Sequence, residues 1–381
     1  MNDSKHVLII RSNPVDPDPR VEKEADSLLE AGYIVDVFCW DRGSDHPVTK
    51  NAKILSHGTL KIYRIGIAAA FGAGFRKNLR PLARFQIEIL RFINKHYRNY
   101  DVLHVCDFDT ALAGYIGSRG RGLKLIYDIF DYYADAFSVP DVLKKIVIGL
   151  DAHIINHADG VIICSEQRRA QLRGARPRLL SVIHNSPRSD LKLIGGEHDA
   201  PHDHMRIAYI GILNDGRLIP ELLDIVSRHE EYELHIAGFG KYDKQCAEYA
   251  GSNDNIIYYG RTEYAQTLEI ESKCDVMTAI YDPSIRNHRY AAPNKFYEAL
   301  MLGKPVIMCR ETGFSDVVED NGIGICIDYS EASLEKGLES INNNIGQFRS
   351  RSEFERELYR KQYSWDIMAE RLITLYNSVL K

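Results

Sequence analysis

The sequence predicts an α/β fold made of two doubly wound, mostly parallel sheets. Apolar strand-like runs alternate with amphipathic stretches from residue 6 to residue 184, a polar Gly/Pro-rich segment follows, and the alternation restarts at residue 206. A chain of 381 residues is long enough for two domains with full cores. We therefore expect a first domain at 1–187, a linker at 188–204 and a second domain at 205–363.

The composition is that of an ordinary globular protein, with 45% hydrophobic and 27% charged residues. The seven cysteines form no C-x-x-C pair and lie mostly in apolar runs, which predicts buried thiols in a reducing compartment. The N-terminus enters a strand directly, without the pattern of a signal peptide, and no apolar run is long enough to span a membrane. We expect a cytoplasmic protein.

The first half opens with a βαβ unit: strands at 6–11 and 33–40 flank a helix at about 21–31. The loop after the first strand is rich in proline and aspartate and ends at Arg20. Such a loop lies where open α/β sheets bind ligands, although Arg20 could instead be a solvated residue of a rigid loop. The remaining predicted strands of this half lie at 60–65, 101–105, 123–128, 160–164 and 179–184.

A basic amphipathic helix is predicted at 81–98, preceded by Arg76, Lys77 and Arg80. One interpretation is a helix that covers the sheet and turns a solvated basic face outward. The other is a surface that presses on anionic lipid, with residues 76–98 in contact with the membrane. In that case the protein is peripheral on the inner face of the plasma membrane.

In the second half, strands are predicted at 206–211, 232–238, 255–259, 275–280 and 305–308. The most informative stretch is 293–307, PNKFYEALMLGKPVI. Asn294 can cap a short helix that Gly303 ends. The free amide groups of its first turn, with Lys295 beside them, attract phosphate. Glu298 lies one turn further along, where a carboxylate suits ribose hydroxyls, so the stretch predicts a nucleotide-diphosphate site.

This stretch resembles the donor-site signature of family-4-like glycosyltransferases of the GT-B fold, of the bacterial cell-surface polysaccharide type. Glu298 matches the second glutamate of the family's Glu-(any seven)-Glu pattern, and 303–307 matches its Gly-x-Pro-Val-Ile tail. Tyr290 stands where the first glutamate is expected. The resemblance implies two Rossmann-like domains that face each other across a cleft, with a C-terminal helix at 364–381 that crosses back to the first domain.

The resemblance also implies donor-site residues outside the central stretch. Arg217 follows a loop that begins at Gly211 and would pair with the donor phosphates, with Lys295 as the second cation. Gly238-Phe239-Gly240 would let the backbone approach the donor, and Arg261 would frame the nucleobase or cap its own loop. The donor-binding set is Pro293, Asn294, Lys295, Glu298, Tyr290, Gly211, Gly240, Arg217 and Arg261. Because no D-x-D motif stands near this loop, we expect a metal-independent site that needs no cofactor.

On the acceptor side, two family motifs are altered. Residues 104–107 resemble a His-x-His-Asp turn with Cys106 in place of the second histidine. Residues 127–131 resemble Tyr-Asp-x-His-Glu with Phe130 and Asp131 in the last two places. Asp131 and Asp107 are therefore candidates to orient or deprotonate an acceptor hydroxyl, although Asp107 could be only a helix cap. The acceptor-side set is Arg20, His104, Asp107 and Asp131, and the catalytic set is Asp131, Asp107, Arg217 and Lys295.

The predicted function is transfer of a hexose from a nucleotide-diphosphate sugar, with a UDP-sugar favoured over a GDP-sugar, to a glycan or lipid-linked acceptor. The resemblance implies retention of anomeric configuration, and nucleic acid is not an expected partner. Two alternatives stay open. A hydrolysing UDP-sugar 2-epimerase has the same fold, and a non-catalytic nucleotide-sugar-binding subunit of a polysaccharide assembly would also explain the altered motifs.

Overall fold

The computed structural model describes residues 4–70, 74–136, 141–188 and 203–381. The chain divides into two compact units, which we call unit 1 (Met1–His184 with Met368–Lys381) and unit 2 (Asn185–Ile367). Most of the predicted linker, 189–202, lies outside the described residues. Within the part of the chain that is described, no helix is long and apolar enough to cross a membrane.

Unit 1 is built on an eight-stranded sheet with the order β3-β4-β2-β1-β5-β6-β7-β8. All neighbours are parallel except β3 and β4, which form an antiparallel hairpin at the edge. The sequence did not predict β3, because nearly all of its side chains are exposed and it lacks the apolar pattern of a buried strand. The strands are β1 (His6–Arg11), β2 (Ile34–Asp41), β3 (His46–Leu55), β4 (Gly58–Gly66), β5 (Val102–Cys106), β6 (Lys124–Ile129), β7 (Gly160–Ile163) and β8 (Leu180–Val182).

Helices cover both faces of this sheet. The second helix begins earlier than the predicted 81–98 and carries Pro81 inside it, and a short 3₁₀ turn, Tyr97–Asn99, follows it. Its Phe85 and Phe92 pack on Phe38 of the sheet, and Phe85 also stacks on Trp40. The helices of this part of the chain are α1 (Pro19–Glu30), α2 (Gly74–His96), α3 (Phe108–Ser118), α4 (Tyr133–Ala136) and α5 (Asp141–His157).

Unit 2 contains a six-stranded, fully parallel sheet with the order β11-β10-β9-β12-β13-β14. The strands are β9 (Met205–Ile212), β10 (Tyr232–Phe239), β11 (Ile256–Tyr258), β12 (Val276–Ala279), β13 (Val306–Cys309) and β14 (Gly324–Ile327). The helices are α6 (Ile219–Arg228), α7 (Asp243–Ala250), α8 (Tyr264–Ser272), α9 (Asn294–Leu302), α10 (Ser315–Asn321), α11 (Glu331–Asn343), α12 (Ile345–Arg349) and α13 (Ser352–Leu358). The sequence did not predict β14, which is only four residues long.

The chain ends in α14 (Trp365–Leu380), whose residues from Met368 onward belong to unit 1. There the Tyr376 hydroxyl bonds the buried His104 ring, and Arg371 donates to the Val182 carbonyl at 3.0 Å. Trp365, at the other end of the helix, is buried and belongs to unit 2. All seven cysteines are free and buried, which confirms the prediction of buried thiols.

Candidate functional site

The N-terminus of α9 forms the centre of the site in unit 2. Pro293, not Asn294, occupies the N-cap position, with φ −69° and ψ 135°, and no side chain caps the helix. The prediction of Asn294 as the cap was wrong by one residue, because proline fixes an extended N-cap conformation and the helix starts directly after it. The Asn294 side chain instead accepts a hydrogen bond from Asn185 at 3.1 Å. Amide groups of the first turn therefore remain available to an anion.

Lys295 lies in the first turn of α9 and is buried. Its Nζ is 4.7 Å from the centre of the Tyr209 ring and faces the backbone of Gly211, where a Cβ would approach Nζ to 2.7 Å. Burial lowers the pKa of Lys295, but neighbouring oxygens raise it more, so its pKa lies above the ordinary value. Lys295 is therefore a cation at neutral pH. Among the described ion pairs, none joins it to a carboxylate.

Arg217 supplies a second cation to the same region of unit 2. Its guanidinium carbon lies 3.8 Å from the centre of the Tyr281 ring, and Nη1 donates to the Gly216 carbonyl at 3.1 Å and approaches His288 Nε2 at 3.0 Å. Within the described residues it, too, has no carboxylate partner. Its charge lowers the pKa of Lys295, so the two cations are close enough to repel each other. An anion bound between them would relieve this repulsion.

Glu298 lies one turn after Lys295 and is 3% exposed. The Tyr264 hydroxyl is hydrogen-bonded to it. Glu271 of α8 is also buried, and neither of its oxygens has a hydrogen-bond partner in the described part of the chain. Burial and the nearby charge of Glu298 raise the pKa of Glu271 well above its usual range. The two buried carboxyls therefore resist holding two negative charges at the same time.

Sequence reasoning missed Glu271. Its position could have indicated that it is buried, because it stands between two apolar residues, Ile270 and Cys274, on a helix that packs against the sheet.

Three glycines bring the ends of β9 and β10 into backbone contact. A Cβ at Gly238 would lie 1.8 Å from the Gly211 carbonyl oxygen, and one at Gly240 would lie 2.6 Å from the Leu213 carbonyl oxygen. All three have positive φ, between 146° and 153°. Only glycine fits these positions, so the carboxyl edge of the sheet keeps an open backbone surface.

Two other predicted donor residues lie nearby in unit 2. The Arg261 guanidinium lies over the Phe239 ring at 4.9 Å, beside a pocket of about 360 Å³. Tyr290 is half-buried in a 3₁₀ turn, His288–Tyr290, that begins at the histidine in contact with Arg217. The pocket is lined by Gly238, Phe239, Asp243, Lys244, Ala247, Tyr258, Gly260 and Arg261.

In unit 1, Asp107 holds the turn that follows β6. It precedes α3 with φ 64°, but its side chain makes no cap, so the alternative of a capping side chain was wrong. One carboxylate oxygen accepts from the amides of Phe130 (2.9 Å) and Asp131 (3.2 Å), and the other accepts from Arg11. Burial raises the pKa of Asp107 to about 6 although Arg11 opposes the shift. Its oxygens are already engaged within the protein.

Asp131 is the more accessible of the two candidate carboxylates. Its side chain is 49% exposed, and Oδ1 accepts from Nη2 of the buried Arg168 at 2.8 Å. Arg168 thus fixes the direction of the carboxylate without covering it. Arg168 was not predicted, because it stands in a polar run with other arginines and no local pattern distinguishes it.

Arg20 and His104 lie deeper in unit 1. Arg20 is 4% exposed, which excludes the solvated alternative, and it pairs with Asp128 at 2.9 Å and Glu24 at 3.1 Å. His104 is fully buried, and its Nδ1 lies 2.7 Å from the Tyr376 hydroxyl. Glu24, His104 and Asp128 place ligand-type atoms within 4.8 Å of one another. The guanidinium of Arg20 already pairs with both carboxylates of this cluster.

Phe130 stands between this buried cluster and Asp107. The guanidinium carbons of Arg11 and Arg20 lie 4.2 Å and 4.3 Å from the centre of its ring. Arg20 therefore contacts the Phe130–Asp131 turn on the side of the turn that faces the protein interior.

Comparisons with known proteins identify the family of the chain. A family model described as Glycosyltransferase Family 4 matches residues 20–186, and one described as Glycosyl transferases group 1 matches residues 206–343. The two matches cover nearly all of both sheets. The chain belongs to the family-4-like glycosyltransferases of the GT-B fold.

Solved structures with the same fold align over almost the full chain. Sucrose-phosphate synthase from Thermosynechococcus elongatus is 17% identical with a TM-score of 0.74, and 98% of each chain is covered. HepE from Anabaena, in complex with UDP, is 13% identical with a TM-score of 0.69, covering 98% of this chain and 100% of HepE. A glycosyltransferase from Rickettsia africae is 13% identical with a TM-score of 0.68, covering 99% of each chain. The comparison with curated protein sequences finds no match.

Proposed function

We propose that this chain transfers a hexose from a nucleotide-diphosphate sugar, a UDP-sugar in preference to a GDP-sugar, to a glycan or lipid-linked acceptor. Transfer retains the anomeric configuration and needs no metal ion. Unit 2 binds the donor, and Asp131 of unit 1 orients the acceptor hydroxyl. The acceptor belongs to the synthesis of a bacterial cell-surface polysaccharide.

One observation carries the donor assignment: Arg217 and Lys295 are neighbouring cations without a carboxylate partner in the described chain, and Lys295 lies at the open N-terminus of α9. A diphosphate satisfies both cations and the free amides of the first turn. It also gains negative charge as the sugar departs, which the same groups would stabilise. The carboxylate of Glu298, one turn along, is placed to accept hydrogen bonds from ribose.

The preference for a uridine nucleotide in this proposal rests on structural similarity to another protein. HepE from Anabaena, which has the same fold, is known in complexes with UDP and with UDP-glucose. For the acceptor, the support is the exposed carboxylate of Asp131 in a fixed direction. The basic helix α2 supports a lipid-linked acceptor, because its outward cations suit an anionic membrane surface. The side chains of Arg76 and Lys77 lie outside the described residues.

The deciding experiment is a thermal-shift panel of UDP, GDP, ADP, CMP and dTDP, followed by calorimetry on the best ligand. We expect UDP to give the largest shift, and transfer from the matching UDP-sugar to persist in EDTA. Loss of transfer in EDTA would overturn the metal-independent site.

Two further outcomes would identify the alternative functions. Conversion of UDP-GlcNAc in the absence of any acceptor would indicate a hydrolysing 2-epimerase. Donor binding without transfer to any acceptor pool would indicate a non-catalytic subunit.

A further inference from the structure

The hydrogen bonds of the Arg217 guanidinium all involve one nitrogen. Nη1 donates to the Gly216 carbonyl at 3.1 Å and lies 3.0 Å from Nε2 of His288, and the Tyr281 ring lies 3.8 Å from the guanidinium carbon. In the part of the chain that the structure describes, Nε and Nη2 of Arg217 have no hydrogen-bond partner. The protein therefore holds one corner of the guanidinium and leaves its other two nitrogens available to phosphate oxygens.

The partners of His288 determine which of its ring nitrogens carries the proton. Nδ1 lies 3.1 Å from the Asp282 carbonyl oxygen, which can only accept, and Nε2 lies 3.0 Å from an Arg217 N–H, which can only donate. The separation between Nδ1 and Nη1 of Arg217 is longer, 3.4 Å, so Nε2 is the acceptor. One form of the ring satisfies both contacts: the neutral imidazole with its proton on Nδ1. A doubly protonated ring would have no lone pair for Arg217.

Backbone contacts of the same loop fix the position of His288. The Asp282 amide donates to the Gly216 carbonyl at 3.1 Å, so Arg217, Gly216, Asp282 and His288 form a closed circuit of hydrogen bonds. The ring stands edge-on to Tyr281, with 5.3 Å between the ring centres and 89° between the planes. A Cβ added at Gly216 would lie only 3.2 Å from Cε1 of His288. The imidazole is therefore oriented by its surroundings before any ligand binds.

We infer that His288 is a positioning residue for Arg217: it accepts a hydrogen bond from Nη1 and so keeps Nε and Nη2 available to the diphosphate. The inference rests on the proposed function, because it takes Arg217 as a ligand of the donor phosphates. His288 acts through the arginine and not on the nucleotide. Holding the guanidinium in place beforehand lowers the entropy cost of binding, so the benefit is confined to ligands that carry phosphate.

The test is a double-mutant cycle on UDP binding, measured by titration calorimetry on the full chain. His288→Leu removes the acceptor and should weaken UDP binding about tenfold, the effect of one hydrogen bond to a charged group. In the Arg217→Met protein the same change should have no further effect, because the group that His288 positions is gone. His288→Gln, whose amide oxygen can replace Nε2 as the acceptor, should restore most of the affinity.

Two controls separate positioning from a general effect on the fold. Uridine lacks the phosphates, so its binding, followed by NMR titration, should be the same in wild type and in His288→Leu. His229→Leu changes another histidine of unit 2, one that is hydrogen-bonded to Glu231 and Glu335, and should bind UDP like wild type. Nitrogen-15 NMR of histidine-labelled protein should show a neutral ring with its proton on Nδ1, whose signal is absent in His288→Gln.

The inference is overturned if His288→Leu binds UDP like wild type, or if the changes at 217 and 288 weaken UDP binding additively. It is also overturned if uridine binding falls as much as UDP binding in His288→Leu, or if the His288 ring carries its proton on Nε2. These outcomes contradict the inference alone, since wild type still binds UDP. Wild-type protein that binds no nucleoside diphosphate would contradict the proposed donor site itself, and the inference with it.

Discussion

At the scale of single residues, the proposed donor site of unit 2 contains two buried carboxyls, Glu271 and Glu298. Burial and the nearby charge of Glu298 raise the pKa of Glu271 well above its ordinary range, so the pair resists holding two negative charges. Only an ionised carboxylate accepts hydrogen bonds from two hydroxyl groups without donating one. Glu298, one turn along α9 from Lys295, is the member of the pair that we propose for ribose.

If Glu298 binds ribose, Glu298→Ala should weaken UDP binding by about 1.5–3 kcal/mol, the cost of lost hydrogen bonds to a charged group. Titration calorimetry measures this directly. Glu269→Ala is the matched control, since Glu269 is on α8 and half-exposed beside Lys273. Unchanged affinity in Glu298→Ala would remove this residue from the site.

Arg217 and Lys295 should affect turnover more than folding. Each would stabilise charge that develops on the departing diphosphate, so replacement by Met should lower kcat by about 10²-fold. Lys241→Met, which removes an exposed lysine paired with Asp215, should leave kcat unchanged. A variant that lost melting temperature and kept kcat would show a structural role.

Asp131 distinguishes two mechanisms of transfer. If the leaving phosphate takes the acceptor proton, Asp131 only orients the hydroxyl, and Asp131→Asn should cost about tenfold with retention of configuration. If Asp131 is a general base, the same change should cost about 10²–10⁴-fold. The rate is measured together with an NMR assignment of the product anomer. Inversion with the large loss would contradict the proposed mechanism.

At the scale of secondary-structure elements, the contact between β9 and β10 depends on Gly238. Gly238→Ala should destabilise unit 2 by about 3 kcal/mol or more, because the new Cβ meets the Gly211 carbonyl oxygen at 1.8 Å and φ is 146°. Gly251→Ala is the control, since its nearest neighbour is at 3.5 Å and its φ is negative. Urea unfolding followed by circular dichroism compares them. Equal stability of the two variants would contradict the close contact.

Elements with an apolar pattern were predictable from the sequence, and the exceptions have physical reasons. Apart from β14, the parallel strands were predicted, as was α9, because buried strands and an amphipathic helix leave recognisable patterns of apolar residues. The hairpin strand β3 is exposed on nearly all of its side chains and leaves no such pattern. The partners of Asp107 come from β1 and from the turn after β6, and pairing between distant segments is not visible in local sequence. The hydrogen bond from Arg168 to Asp131 also joins distant segments and was not predictable for the same reason.

At the scale of the whole molecule, buried carboxyls make stability depend on pH. The pKa is raised by burial in Asp151 to about 7 and in Glu355 to about 8. At a pH between the ordinary carboxyl pKa and the raised one, the folded state keeps a proton that the unfolded state has lost. Stability should therefore fall as pH rises through this window.

For Asp151, the expected slope is up to about 1.4 kcal/mol per pH unit, the value for one proton. Urea unfolding between about pH 5 and about pH 7 measures it, and Asp151→Asn should flatten the dependence by that amount. Asp45→Asn, an exposed carboxylate of the same unit, should keep the wild-type slope. An Asp151→Asn slope equal to wild type would contradict the raised pKa.

The chain has only two tryptophans, and each unit contains one: Trp40 lies in the core of unit 1 and Trp365 lies in unit 2. Both are buried, so each emits from an apolar environment until its own unit opens. A Trp40→Phe protein would report on unit 2 alone, and Trp365→Phe on unit 1 alone. The molecule thus carries a separate intrinsic fluorophore for each half, and the order in which the halves unfold can be followed without any added label.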